Sequence, residues 1–239
     1  MPKRRTRRSR TNAEASSGIQ PPLSIVVERL AIFAIVGMAL YIFIDVVFNF
    51  LPPYYSLMSQ PESDYAVGPY GFLMTINFVL RGLFSFALVF ALYRAVETGT
   101  RFGTGLVLLC VWASGAFLLA VFPTELGPGP HSLTAGIHAL VALVAFLCAA
   151  LGELLISVRF AGNERLGSLR VPTLAISALA LPVYLAFVLS GVANQVPGLW
   201  DGLGSVFGLV ERAFLGLILL WMFLVALKLL LVTARERPR

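Results

Sequence analysis

The chain has 239 residues, of which 58% are hydrophobic and only 13% charged, with a mean hydropathy of +0.86. A water-soluble domain carries about 25% charged residues, so this composition excludes a soluble fold, and six spans of about 20 residues each leave no room for a separate soluble enzyme domain. The net charge of +6 is local, because Lys3, Arg4, Arg5, Arg7, Arg8 and Arg10 all fall in the first ten positions.

Residues 1–22 read as a disordered basic tail that anchors to anionic lipid headgroups and sets topology. Nucleic acid is not the expected partner, since no basic stripe continues into the fold. The tail is no signal peptide either: the apolar run begins near Leu30, is as long as a full span, and lacks a small-residue cleavage site. Residues 23–234 then read as an all-α polytopic bundle surrounded by membrane lipids, and 235–239 as a short basic C-terminus.

Apolar runs bounded by turn residues predict spans over 28–51, 70–94, 103–122, 133–157, 171–190 and 209–233. Pro182 falls inside the fifth, where a kink is expected because proline leaves a backbone carbonyl without its donor. Arg94 and Arg101, then Arg159, Arg165 and Arg170, and finally Arg235, Arg237 and Arg239 mark the connections on the side of the basic tail. The alternate connections carry Glu62, Asp64, Glu125 and Asp201 and no Lys or Arg. By the positive-inside rule both termini are cytoplasmic and the chain sits in the cell membrane. A short echo, Val27-Glu28-Arg29 against Val210-Glu211-Arg212, is the kind of match an inverted repeat leaves, but three residues in apolar sequence carry little.

Charges inside a span cost about 2.5–3.5 kcal/mol on insertion scales, so each needs a partner, a wet cavity or a route to the interface. Glu28, Arg29, Glu153 and Lys228 lie near the cytoplasmic ends and are expected to snorkel. Asp45, Arg81 and His138 lie deeper on the external half, about 9, 16 and 8 Å below its surface at 1.5 Å per residue, with Glu211 and Arg212 at the rim. The expected binding set is therefore Asp45, Arg81, His138, Glu211 and Arg212, with an Arg81–Asp45 ion pair as the leading contact.

The most chemical stretch is Phe122-Pro123-Thr124-Glu125 followed by His131 and His138. A catalytic reading would use His138 as acid and base, with Glu125 or Asp64 to orient it. The two histidines are seven apart, beyond the i, i+4 spacing of helical zinc ligands, and too close on one segment for a haem. No metal and no other cofactor is expected. Neither a glycine-flanked serine nor a phosphate-binding glycine loop is present, and Cys110 and Cys148 read as packing residues.

Ser63-Asp64-Tyr65-Ala66-Val67-Gly68-Pro69-Tyr70-Gly71, Phe122-Pro123-Thr124-Glu125, Gly136-Ile137-His138 and Gly208-Leu209-Val210-Glu211-Arg212 resemble the domain-of-unknown-function 998 family of uncharacterised prokaryotic multi-pass membrane proteins. The resemblance covers nearly all of the membrane region and implies about six spans and no established activity. Glu125 stands where family members often have Asp. The Phe-Pro and downstream His are also loosely similar to the six-span Frag1/DRAM/Sfk1 proteins, which would imply lipid handling. Three readings follow: a protein that binds or transports a small polar molecule or lipid headgroup at an external cavity, a structural or accessory subunit, and a lipid-modifying membrane enzyme. They rank in that order, because intramembrane ionisable groups point to function while no complete catalytic set is visible.

Overall fold

The computed structural model describes residues 25–96, 103–127, 132–196, 198 and 200–236. The basic tail, Arg101, His131, Arg237 and Arg239 lie outside the described residues. Six helices are long and apolar enough to cross a membrane, and the chain is an integral membrane protein. They are α1 (Ile25–Phe48), α2 (Gly71–Ala95), α3 (Gly103–Val121), α4 (Leu133–Arg159), α5 (Arg170–Gln195) and α6 (Phe207–Arg235). The third and fourth begin where the apolar runs predict. The first is shifted three residues toward the N-terminus, and the fifth extends to Gln195 without interruption at Pro182. Hydropathy sees how apolar a window is, whereas the helix continues for as long as its backbone is bonded.

Each helix packs against its neighbours in sequence, and α6 closes the circle on α1 while also touching α2 and α4. The most enclosed spans are α2 and α6, about half of whose residues are buried. Small residues permit the close approaches, as where Gly105 of α3 meets Gly152 of α4. The core runs through the ring as Leu88, Leu92, Trp112, Phe146, Phe214, Ile218, Trp221 and Leu229. Outward side chains such as Phe43, Val107 and Val171 are exposed and apolar, as lipid-facing residues should be.

The ring has two unlike ends. The proximal end holds the start of α1 and the end of α6, and is tied by the Arg165–Glu236 ion pair at 2.8 Å. At the distal end, residues 49–70 fold back over the mouth of the ring. Pro61 leads into a 3-10 turn over Glu62–Val67, in which Glu62, Asp64 and Tyr65 are all buried. The loop docks on α6 through the Leu209 N–H, which donates to the Met58 carbonyl at 3.0 Å. Gly208 is required at that contact, because a Cβ there would lie 2.1 Å from the Gln60 carbonyl oxygen. Around the same rim Phe50, Tyr54 and Trp200 are exposed, which suits aromatic side chains at headgroup level.

Candidate functional site

The distal loop, α1, α2 and α6 bring together two guanidinium groups and several carboxyl groups. Tyr41 stands at the centre: its hydroxyl donates to Glu62 Oε1 at 2.5 Å and receives a long bond from Arg81 Nη1 at 3.5 Å. Asn77 of α2 holds the same turn of α1 by donating to the Tyr41 carbonyl at 3.2 Å. The Glu62 backbone N–H donates to Glu211 Oε2, so Glu62 fastens the loop to α6 by its backbone and to α1 by its side chain. The carboxyl of Asp45 in turn approaches that of Glu62.

The Arg81–Asp45 ion pair expected from depth alone does not form among the described residues. Arg81 is 2% exposed and its guanidinium lies over Trp112 at 4.7 Å, Phe78 at 5.2 Å and Tyr41 at 6.0 Å. Aromatic faces attract such a cation, and Tyr41 with the inserted loop fills the neighbourhood that Asp45 was expected to occupy. Arg212 is also committed to structure. Its Nη1 donates to the carbonyls of Gln60 (2.7 Å), Gly208 (3.1 Å) and Leu57 (3.3 Å), and its Nη2 to the Tyr65 hydroxyl at 2.6 Å. Bonds from a charged fork are the stronger kind, so Arg212 staples the loop to α6.

Two cavities flank this cluster. One, of about 480 Å³, is a trough between α1 and α6 lined by Ile35, Met38, Ile42, Leu219 and Phe223, with Asp45, Glu62 and Arg212 at its distal end. The other, of about 360 Å³, lies at the distal ends of α4, α5 and α6 and is lined by Asp64, Glu125, His138, Glu211, Asn194 and Gln195 with the walls of Phe187 and Phe207. The five residues of the expected binding set therefore divide. Asp45 and Arg212 reach the trough, His138 and Glu211 reach the distal cavity, and Arg81 lines neither. The three catalytic candidates, His138, Glu125 and Asp64, share the distal cavity.

His138 is 4% exposed, and its Nδ1 lies 2.6 Å from the Phe122 carbonyl oxygen. A carbonyl only accepts, so Nδ1 carries a proton, and in the neutral ring Nε2 is then the free nitrogen. The ring is thus oriented by backbone and not by a carboxylate. Glu125 instead caps the approach to α4, accepting from the Ser132 N–H at 3.0 Å. Asp64 is 8% exposed, and no hydrogen bond reaches its carboxylate among the described residues. Burial and then the nearby Glu211 push the Asp64 carboxyl up to about 7, against the pull of Arg212. Burial, followed by Asp45, raises Glu62 to about 8, with Arg81 opposing. Burial likewise lifts Tyr65 to about 12 despite Arg212.

Tyr41, Asn77, Glu62 and Tyr65 were not singled out by the sequence as part of this site. Glu62 and Tyr65 sit in a segment that reads as an ordinary polar loop, and only the motif around Ser63-Asp64-Tyr65 hinted at its importance. Glu153 is corrected in the other direction. It is fully buried, with neither carboxyl oxygen bonded among the described residues, because its face of α4 turns inward whatever its distance from the helix end. Among the described residues no group of three or more His, Cys, Asp or Glu side chains has metal-binding geometry.

No curated protein and no solved structure matches the chain, so the looser likeness to the Frag1/DRAM/Sfk1 proteins gains no support. The model of one family does match, over residues 35–228, and this span takes in every residue of both cavities. The chain belongs to that family, described as "Protein of unknown function (DUF998)".

Proposed function

We propose that the protein binds or transports a small polar molecule at the distal cavity, and that this cavity opens to the outside of the cell membrane. The observation that carries this reading is Asp64, a nearly enclosed carboxyl group that faces a cavity and has no hydrogen-bond partner among the described residues. A group kept solely to lock helices together would have its hydrogen bonds filled within the protein. The volume of about 360 Å³ lies at the small end of ligand pockets, and its mixture of apolar walls with convergent polar groups has the usual character of one. The basic connections at the proximal end support an outward-facing distal end.

The trough between α1 and α6 favours a lipid as a second ligand. At about 1.5 Å per residue the stretch from Ile35 to Asp45 covers ~15 Å, apolar along its length and polar where Asp45, Glu62 and Arg212 gather. A hydrocarbon chain fits the former and a headgroup the latter. Mass spectrometry of the protein released from native membranes is expected to retain a lipid that Leu219→Trp displaces.

Two measurements test the main reading. Cysteines placed as Ser63→Cys or Thr124→Cys, in a chain with Cys110 and Cys148 replaced by serine, are expected to react with an impermeant maleimide in intact cells. Reaction only after lysis would reverse the orientation, and reaction only after unfolding would close the cavity. A panel of small cations, anions and neutral polar compounds is expected to contain at least one class that raises the unfolding midpoint of the purified protein. A panel without effect would favour the accessory-subunit reading.

A further inference from the structure

The chemistry of the distal cavity is one-sided. Among the described residues its ionisable lining consists of Asp64, Glu125, His138 and Glu211, with neither Lys nor Arg. The two arginines close enough to balance these acids are spent elsewhere: Arg81 beneath three aromatic rings, and Arg212 on three backbone carbonyls and the Tyr65 hydroxyl. His138 adds an acceptor instead of a donor, since Nδ1–H is occupied by the Phe122 carbonyl and the neutral ring offers a lone pair at Nε2. Nε2 has no hydrogen-bond partner among the described residues, and the ring that carries it is 4% exposed. Two nearly enclosed side chains from different elements, an acid and an imidazole, therefore present unfilled acceptors to one space. What is missing is a donor.

We propose that the distal cavity takes a protonated primary amine, its ammonium group donating to Asp64, Glu211 and Nε2 of His138, and its short hydrocarbon part lying against Phe187 and Phe207. This rests on the reading of the distal cavity as a ligand site and names the class of ligand. An ammonium has three N–H donors and no acceptor, which matches the Asp64 carboxylate, Nε2 of His138 and the Glu211 oxygen that the Glu62 N–H does not occupy. A carboxylate or phosphate ligand would meet the like charge of Asp64, Glu125 and Glu211, and a quaternary ammonium would bring charge without donors. The same chemistry is available from a free alkylamine and from an ethanolamine headgroup, although the phosphate of the latter finds no cation in the lining.

Protons compete with such a ligand. The groups that act on Asp64 are Glu211 and Arg212 of α6 and, in its own loop, Tyr55, while His138 of α4 and Glu125 of the α3–α4 connection share its cavity. With the empty Asp64 at about 7, bound ammonium favours the carboxylate form, so binding drives a proton off. Cation and proton then exchange on one carboxylate, which is the minimum a coupled exchanger requires.

The full-length protein in phosphatidylcholine nanodiscs at pH 8 is titrated with n-butylamine, n-butanol, butyrate and butyltrimethylammonium. Butylamine is expected to bind at least tenfold more tightly than the other three. Asp64→Asn, which preserves size, should weaken it at least tenfold with an unchanged unfolding midpoint, whereas the remote Glu153→Gln should leave the affinity as it is. If Asp64→Asn lowers the midpoint, Glu211→Gln and His138→Phe provide the same test from α6 and α4. Nanodiscs containing phosphatidylethanolamine separate the sources: reduced butylamine affinity there assigns the headgroup as a competitor, and unchanged affinity assigns the free amine. Butyrate or butanol binding as tightly as butylamine would overturn the amine assignment while leaving a ligand site in place. Butylamine affinity that is indifferent to all three substitutions would overturn it as well.

Discussion

The two ends of the helix ring treat buried polarity in opposite ways. In the proximal half polar groups other than the Glu153 carboxyl are consumed locally: Trp221 Nε1 donates to Ser157 Oγ at 2.8 Å, Ser157 to the Glu153 backbone carbonyl at 2.7 Å, and Arg165 pairs with Glu236. Neither cavity reaches Glu153. In the distal half the acids outnumber the cations available to them and surround open space. Buried carboxyls occur in both halves, so burial alone does not mark a site. What separates Asp64 from Glu153 is a void on the unfilled side, with further unfilled acceptors facing it.

The largest expected effect on this contrast comes from removing its keystone. Arg212→Ala would leave four oxygens without their donor and free the loop that carries Glu62 and Asp64, at a cost of about 3–5 kcal/mol. A lowered unfolding midpoint in detergent, with new protease cleavage within 56–70, checks it. Arg212→Lys should rescue little, because one ammonium cannot span the fork. If Arg212→Ala unfolds normally, the loop is held by something else.

Arg81→Met comes next. Losing the cation from its aromatic surroundings should cost about 1–2 kcal/mol, yet butylamine affinity should change less than threefold, since Arg81 does not line the distal cavity. A large loss of binding with intact folding would return Arg81 to the site. The smallest effect is expected at the proximal end, where Glu153→Leu removes a buried polar group that has no hydrogen-bond partner among the described residues. A gain of about 1 kcal/mol is expected, read as a raised midpoint, and a loss would show that Glu153 has an undetected role.

The spans were legible because hydropathy over about 20 residues is a one-dimensional property, and the charge asymmetry of the connections was legible for the same reason. Depth along a helix was legible too, because it needs only a count of residues from the end of the span. Direction around the helix was not. An all-round apolar span gives no moment from which to read a face, so Glu153 looked able to snorkel and Arg81 looked ready to meet Asp45. The insertion of residues 56–70 depended on a Gly208 contact and an Arg212 staple about 150 positions away in the chain, which no local pattern announces. The family resemblance located the motifs but, naming no activity, could not supply the cavity.

The most direct test of an amine and a proton sharing one carboxylate is butylamine affinity as a function of pH. Asp64 in the empty protein stands at about 7, above its unfolded value, so the carboxylate that the ligand needs is present above that pH and is lost as pH falls through it. From pH 8 to pH 6 the affinity of the native protein should fall roughly tenfold, and Asp64→Asn should flatten the change. An affinity that is level across this range in the native protein, or equally steep in Asp64→Asn, would contradict the account.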